Sequence, residues 1–160
     1  MSDAAWSTLD PRARTLMYAQ AAARFVLFWV PATAVAAAFA TGWVAWRTAL
    51  GVGFGWLVVQ ALLAIWLPAL TWARWAWSLR DGDLLVSRGV IVHTVTAIPL
   101  RRVQHVDVTQ GPLEQAWGLS SLAVYTASGM GADAVIPGLR PDQAQALRDR
   151  LAQAAGDDGV

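Results

Sequence analysis

Two long apolar runs that no charged residue interrupts dominate the first half of the chain. The first holds the 22 residues between Arg24 and Arg47, and the second holds the 26 residues between Arg47 and Arg74. A helix needs about 20 apolar residues to cross a hydrocarbon core of about 30 Å. A helix on the surface of a soluble protein would carry a polar stripe, and neither run has one. The pattern predicts a two-helix transmembrane hairpin over residues 25–74, with a tight turn around residues 42–51.

The segment before the first apolar run carries a helix-start signal. Asp10 followed by Pro11 has the form of an N-cap and a first helical residue. We therefore expect a short helix over residues 11–23, within a cytoplasmic juxtamembrane segment over residues 1–24. A secretory signal is a poor alternative, because the apolar run begins only at residue 25 and lacks a small-residue cleavage pattern at its end.

From about residue 75 the pattern changes to short β-forming stretches separated by turn signals. We expect four strands over residues 75–80, 83–88, 90–97 and 100–109, a helical turn over residues 112–118, and two further strands over residues 122–127 and 134–136. A final amphipathic helix is expected over residues 141–154, because its apolar positions fall on one face. The prediction is an α+β membrane protein, with a transmembrane hairpin followed by an antiparallel β domain over residues 75–155 and a tail over residues 156–160.

Composition and charge agree with a chain that is partly in the membrane. Only 14% of the residues are charged, against about 25% in a typical soluble domain. Residues 1–80 carry a net charge of +4 and residues 81–160 a net charge of −3, so the basic half is also the apolar half. The acidic second half argues against nucleic-acid binding, which needs a basic surface. The absence of cysteine excludes disulfides and thiolate chemistry.

Tryptophan and arginine cluster where the ends of the two spans are expected. Indole rings concentrate at the headgroup level, and arginine-rich flanks stay in the cytoplasm. Five arginines flank the outer ends of the hairpin, against Arg47 alone in the turn. This predicts a multi-pass membrane protein with both termini in the cytoplasm. The expected membrane-interface anchors are Arg24, Trp43, Trp46, Trp72, Arg74, Trp75 and Trp77.

The stretch IPLRRVQHVDV, residues 98–108, concentrates the polar chemistry of the second half. If it were one strand, alternation would place Arg101, His105 and Asp107 on one face and Arg102 on the other. A His–Asp catalytic pair is conceivable, but no nucleophile accompanies it, and local hydrogen bonding is the favoured interpretation. His93 could face His105 across a hairpin, yet two histidines without cysteine make a poor zinc set. We predict no catalytic residue, no metal and no cofactor.

A longer motif then resembles a known family. The order L-x-V-x-x-G, I-P-L-x-R-V-Q-H-V-D-V-x-Q-G-P-L-E-x-x-x-G-L-x-S-L-x-V-x-T-A and I-x-G-L is similar to that of the bacterial pleckstrin-homology-like, membrane-flanked domain family of the YdbS type. Its central part runs from Ile98 to Ala127. The resemblance implies a partly open β-barrel or two-sheet sandwich capped by the C-terminal helix. It also implies no common enzymatic activity, and a larger membrane partner that carries related domains. Arg101 departs from the family pattern, in which this position is often small or polar.

Three arginines are the candidate contacts with lipid phosphate or with a partner: Arg88, Arg101 and Arg102. Arginine presents a fork suited to phosphate. The acidic turn at residues 81–83 argues against inositol phosphate binding of the eukaryotic pleckstrin-homology kind. Salt bridges from Arg102 to carboxylates of its own domain, at Asp107, Glu114 or Asp133, remain an equal alternative.

Two functions follow from this sequence. The first is a non-enzymatic, membrane-anchored module that assembles at the cytoplasmic face with itself or with a larger membrane protein, through exposed strand edges. The alternative is a module that senses anionic lipid headgroups through Arg88, Arg101 and Arg102.

Overall fold

The structure is a computed structural model that describes residues 6–80, 82–127 and 131–156. Residues 155 and 156 are described by their backbone alone. It divides into two compact units. The helical unit is Met17–Leu70, and the β unit consists of the residues through Leu16 together with those from Thr71 onward.

Two long helical stretches carry the apolar runs. The first comprises α1 (Pro11–Arg24), a π-helical turn (Phe25–Trp29) and α2 (Val30–Ala40) in direct succession. The second is α3 (Trp46–Ala73). Both stretches are long and apolar enough to cross a membrane, as the hydropathy pattern predicted. The turn between them occupies only residues 41–45, because α3 begins at Trp46, inside the expected turn over residues 42–51.

The π-helical turn has a local cause in the sequence. Pro31 lies in the first turn of α2, where its ring cannot donate a hydrogen bond and would clash with the carbonyl four residues earlier, at Leu27. The wider turn over Phe25–Trp29 accommodates this proline without ending the helix. Pro31 is therefore accommodated by a local widening of the helix.

Small residues let α2 and α3 approach each other within the helical unit. A Cβ added to Gly53 would lie 3.3 Å from Cγ2 of Thr33. The rings of Trp29 and Trp56 meet edge to face with centroids 6.0 Å apart. These four residues also line a groove of about 560 Å³, whose other lining residues are alanine, threonine and valine. This packing agrees with transmembrane helices, whose association depends on close approach at small residues.

Two open antiparallel sheets form the β unit. The first has the order β1-β2-β3-β4 and the second the order β5-β6-β7. Their strands are β1 (Ser7–Thr8), β2 (Ala76–Leu79), β3 (Asp83–Arg88), β4 (Thr94–Pro99), β5 (Val103–Thr109), β6 (Ser120–Thr126) and β7 (Ala134–Leu139). The helices are α4 (Pro112–Trp117) and α5 (Pro141–Gly156). The expected α+β architecture is confirmed, with two open sheets and no closed barrel among the described strands.

The predicted strands needed three corrections. Strand β1 was not predicted, and it pairs with β2 through Ser7 and Trp77. The expected strand over residues 90–97 begins only at Thr94, because residues 89–93 form the loop between β3 and β4. The expected strand over residues 100–109 is interrupted by a 3-10 turn at Leu100–Arg102.

The N-terminal segment is an integral part of the β unit. Asp10 caps α1 as predicted, since its Oδ1 accepts a hydrogen bond from the backbone N–H of Arg12 at 2.8 Å. Leu9, Ala13 and Leu16 are almost fully buried. This differs from the predicted division, which assigned residues 1–24 to a separate juxtamembrane segment. The reason is that the apolar face of the first turns of α1 covers part of the β-unit core.

The core of the β unit draws on both sheets and on α5. Its largest fully buried side chains include Leu84, Leu122 and Ile136 from the strands and Leu151 from the helix. Ala144, Leu147 and Leu151 share the buried face of α5, as the apolar spacing predicted. Helix α5 packs mainly on β5 and the adjacent 3-10 turn, and this packing fixes the stretch that carries most of the polar chemistry.

Candidate functional site

The polar stretch over residues 98–108 does not form a single strand. Its two arginines lie in the 3-10 turn Leu100–Arg102, in which Leu100 is buried and Arg101 and Arg102 are exposed. The predicted assignment of these arginines to opposite faces of one strand is therefore wrong, because alternation holds only in extended backbone. Both side chains project from one exposed turn that begins directly after β4.

His105 and Asp107 do lie on one face of β5, as predicted. Their Nε2 and Oδ1 atoms are 2.6 Å apart, and the side chains are 67% and 42% exposed. The ring of Tyr125 lies 5.9 Å from the His105 ring, centroid to centroid. A pair this exposed is a surface interaction of small energetic value, and no serine or threonine hydroxyl is recorded in hydrogen-bond contact with His105 within the described ranges.

The two histidines are held apart by the topology. His93 lies in the loop before β4, and its Nε2 is 2.8 Å from Oγ of Ser87. His105 belongs to the other sheet. The arrangement that the sequence left open, with the two histidines facing each other across a hairpin, is therefore not formed. Among the residues that the structure describes, no group of three or more histidine, aspartate or glutamate side chains could hold a metal ion.

The three candidate arginines are exposed, and the carboxylates expected to pair with Arg102 are engaged elsewhere. Asp107 pairs with His105, and Oδ2 of Asp133 accepts the backbone N–H of Thr126 at 2.7 Å. The ion pairs within the described part of the chain are His105–Asp107, Arg140–Asp142 and Arg148–Asp149. Over these residues, Arg88, Arg101 and Arg102 therefore form no ion pair and leave their guanidinium groups accessible.

Glu114 holds the turn that follows β5. One of its carboxylate oxygens accepts the backbone N–H of Gly111 at 2.8 Å, and the other accepts the hydroxyl of Ser121. Trp117, on the same short helix, donates its indole N–H to Oγ1 of Thr15 at 3.0 Å. The Gly111–Glu114 stretch therefore stabilises the fold, and Trp117 joins α4 to the start of α1.

Three of the expected interface anchors lie in the helical unit, and all three are exposed. Arg24 ends α1. Trp43 lies in the turn between the apolar helices and is 92% exposed. Trp46 begins α3, and the guanidinium of Arg47 lies 5.3 Å from its ring centroid. Their exposure leaves the aromatic rings available to a surrounding bilayer.

The other four expected anchors lie in the β unit and are more engaged. Trp72 donates its indole N–H to the carbonyl of Asp10 at 3.3 Å. Arg74 donates from Nη1 to the carbonyl of Val90 at 2.9 Å. Trp77 is half-buried, and Trp75 is only 8% exposed. Trp75 therefore belongs to the core of the β unit, where its indole has little surface to offer to lipid.

The sequence analysis missed one surface feature, the β3–β4 loop over residues 89–93. Ile91 is 94% exposed and Val92 is 73% exposed. The run Val90-Ile91-Val92 was taken as part of a strand because β-branched residues favour strands. The preceding Arg88-Gly89 signal could have indicated a loop continuing to His93.

The fold and the arrangement of these surfaces define a class of protein, a small two-sheet domain attached to a pair of apolar helices. A family model described as the bacterial PH domain matches residues 22–155. The chain therefore belongs to the bacterial PH domain family, as the motif had suggested.

Two curated relatives come from Bacillus subtilis (strain 168). The chain is 30% identical over 119 residues to the transmembrane protein YdbS, covering 72% of each protein. It is 26% identical over 104 residues to the transmembrane protein YdbT, covering 64% of this chain but only 20% of YdbT.

A solved protein with a pleckstrin-homology domain from Shewanella loihica PV-4 is similar over 52% of this chain and 72% of that one, with 10% identity and a TM-score of 0.41. The apolar helices and the YdbS relative place the chain in a family of membrane proteins.

Proposed function

We propose that this protein is a non-enzymatic, membrane-anchored assembly module, which pairs with itself or with a larger membrane protein that contains related domains. The observation that supports the proposal is the open edge of the first sheet at β4. Thr94, Val95 and Ala97 are exposed along this strand, and β4 is the terminal strand of its sheet. An unpaired edge offers backbone donors and acceptors to a strand from another chain.

The register of the sheet identifies the outward-facing donors of β4. The N–H of Leu100 donates to the carbonyl of Gly82 at 2.9 Å, so this donor points toward β3. Donor direction alternates along an antiparallel strand, and therefore the N–H groups of Val95 and Ala97 point away from β3. Pro99, the next outward position, has no N–H to offer. Two donors thus remain free for a partner strand.

The length of one relative supports a larger partner that contains a domain related to this one. The match to YdbT spans a fifth of that protein, so YdbT has much additional length beyond the region matched here. A longer membrane protein with a domain of this kind could present a matching strand at the same level of the membrane. The proposed partner is therefore either a second copy of this chain or a larger protein of the YdbT type.

The proposed orientation puts the β unit in the cytoplasm, at the inner membrane of a bacterium. Residues before the first apolar helix and residues after the second belong to this one unit, so both ends of the hairpin lie on the same side if both helices cross the bilayer. The arginines that flank those ends favour the cytoplasmic side.

The assembly proposal predicts that Ala97→Pro abolishes association and leaves the fold intact. Proline removes an outward N–H and is tolerated on an edge strand. The full chain in nanodiscs, or cross-linked in native membranes, is expected to show a dimer or a co-purifying protein that the variant loses. Ala97→Thr, which keeps the N–H and suits a strand, is the matched control and is expected to associate normally. A wild-type chain that stays monomeric and without a partner in both settings would contradict the proposal.

A second function, the sensing of anionic lipid, is favoured by the free guanidinium groups of Arg88, Arg101 and Arg102. An arginine near an anionic surface contributes about 1 kcal/mol. We predict that Arg101→Ala/Arg102→Ala weakens binding of short-chain phosphatidylglycerol to the detergent-solubilised chain by about 2 kcal/mol, with no change for phosphatidylcholine. Arg148→Ala/Arg150→Ala on α5, which makes the same change in net charge, is the control. Equal losses in the two double variants would indicate only general charge attraction.

A further inference from the structure

The β3–β4 loop exposes two adjacent aliphatic side chains at its tip. Ile91 and Val92 are 94% and 73% exposed, while Val90 beside them is half-buried. Single exposed aliphatic residues are common on soluble proteins. Two adjacent ones at the tip of a loop form an apolar surface that can contact a membrane or another protein.

The base of this loop is held in a defined shape. Gly89 has a φ of +120°, and a Cβ at this position would overlap the carbonyl oxygen of Val92. Nη1 of Arg74 donates to the carbonyl of Val90 at 2.9 Å. Ser87 and His93 are joined by a side-chain hydrogen bond of 2.8 Å. These contacts fix both ends of the loop, so that the apolar tip is presented in a constant direction.

One of these contacts joins the base of the loop to Arg74, the residue that follows the second apolar helix in the chain. Helix α3 ends at Ala73, and Arg74 is the first charged residue after the 26 uncharged residues that follow Arg47. A charge at the end of an apolar span marks the level of the headgroups. Since Arg74 is hydrogen-bonded to Val90, the base of the loop lies within one hydrogen bond of the residue at which the chain leaves the span.

Two basic side chains lie near the base of the loop. Arg74 binds the loop backbone through one nitrogen and is itself exposed, and Arg88 ends β3 immediately before Gly89. An apolar tip with arginines at its base is suited to a bilayer surface, where aliphatic groups enter the acyl boundary and guanidinium groups meet phosphates.

We propose that Ile91 and Val92 insert into the interface of the same bilayer that α2 and α3 span, with Arg74 and Arg88 at the level of the lipid phosphates. The loop then forms a third attachment of the β unit to the membrane, beside the two chain connections to the hairpin. This proposal concerns the loop alone and goes beyond the assembly role.

The depth of the loop can be measured directly, because the chain has no cysteine. Ile91→Cys, labelled with the polarity-sensitive fluorophore NBD, is placed in nanodiscs of phosphatidylcholine and phosphatidylglycerol as the full chain. Gln145→Cys, an exposed position on α5, is the matched control. We expect blue-shifted emission at position 91, at least threefold weaker quenching by aqueous iodide than at position 145, and strong quenching by a nitroxide on a lipid near the glycerol level.

Two results would overturn the proposal. Iodide quenching at position 91 equal to that at position 145 would show that the tip is in water. Protection from both iodide and lipid-borne nitroxide would show that protein covers the tip. A repeat at Val92→Cys guards against a local effect of the label at one site. The mass of the assembly in the same nanodiscs is measured separately, so that failure of this proposal is distinguished from failure of the assembly proposal.

Discussion

Gly138→Ala is expected to lower the free energy of unfolding of the β unit by about 2–5 kcal/mol. Gly138 lies in β7 with a φ of +66°, and a Cβ there would overlap Cβ of Ala13 in α1. The left-handed backbone costs an alanine about 1–2 kcal/mol, and overpacking adds about 1–3 kcal/mol. Urea unfolding of the full chain in mild detergent, with amide exchange of β7 as a local probe, measures the loss.

Gly118→Ala separates the two contributions to this loss. Gly118 has nearly the same φ, +63°, but an added Cβ meets nothing within 4 Å. We therefore expect it to cost only the backbone term of about 1–2 kcal/mol. Ala13→Gly should partly rescue Gly138→Ala by removing the overlapping methyl group. Equal losses in Gly138→Ala and Gly118→Ala, without rescue, would show that α1 does not pack against β7.

Glu114→Ala is expected to destabilise the β unit by about 2–4 kcal/mol, the other large effect. The part-buried carboxylate accepts hydrogen bonds from the N–H of Gly111 and the hydroxyl of Ser121. Hydrogen bonds to charged groups contribute about 1.5–3 kcal/mol each, and donors left without a partner add to the cost. Urea unfolding in mild detergent again measures the change.

The conservative variant Glu114→Gln sharpens this prediction. Its amide oxygen can still accept one hydrogen bond, and its NH₂ group can donate to the Ser121 hydroxyl, so we expect a loss of about half that of alanine. Ser121→Ala should cost less than Glu114→Ala, because the bond to Gly111 survives. A loss below about 0.5 kcal/mol for Glu114→Ala would contradict the role of this carboxylate in the turn.

The parts of the fold that could be predicted are those with local causes. The apolar runs needed no knowledge of tertiary structure, because length and charge exclusion alone predict the two helices. Asp10-Pro11 predicted the start of α1 through a side chain that bonds two residues along the chain. The one-sided apolar spacing of α5 likewise predicted which residues face the core.

The failures have non-local causes. Val90-Ile91-Val92 has the β-branched composition of a strand, but the conformation of Gly89 and the hydrogen bond from Arg74 hold it in a loop. The 3-10 turn at Arg101 and Arg102 could not be predicted either, because no local signal indicates it within an otherwise β-forming stretch. Strand β1 has only two residues and exists through its pairing with β2, so its own composition could not reveal it.

In the candidate site, too, the contacts between near neighbours in the chain were predictable and the more distant contacts were not. The sequence correctly brought His105 and Asp107 together, because neighbours two apart in a strand share a face. It could not tell whether Arg102 pairs with a carboxylate, because Glu114 and Asp133 bond instead to Ser121 and Thr126 of β6. The exposure of Ile91 likewise depends on which surfaces the rest of the β unit leaves uncovered.

The contact between Ala13 and Gly138 also constrains how the protein is made. The two residues are separated by 125 positions in the chain, and at about 5–20 residues per second the ribosome needs about 6–25 s to pass from one to the other. During that interval the nascent N-terminal segment lacks part of the surface that buries Leu9, Ala13 and Leu16 in the folded protein. The β unit therefore closes only after β7 has been synthesised, and a ribosome stalled before β7 would leave these apolar side chains exposed to chaperones and proteases.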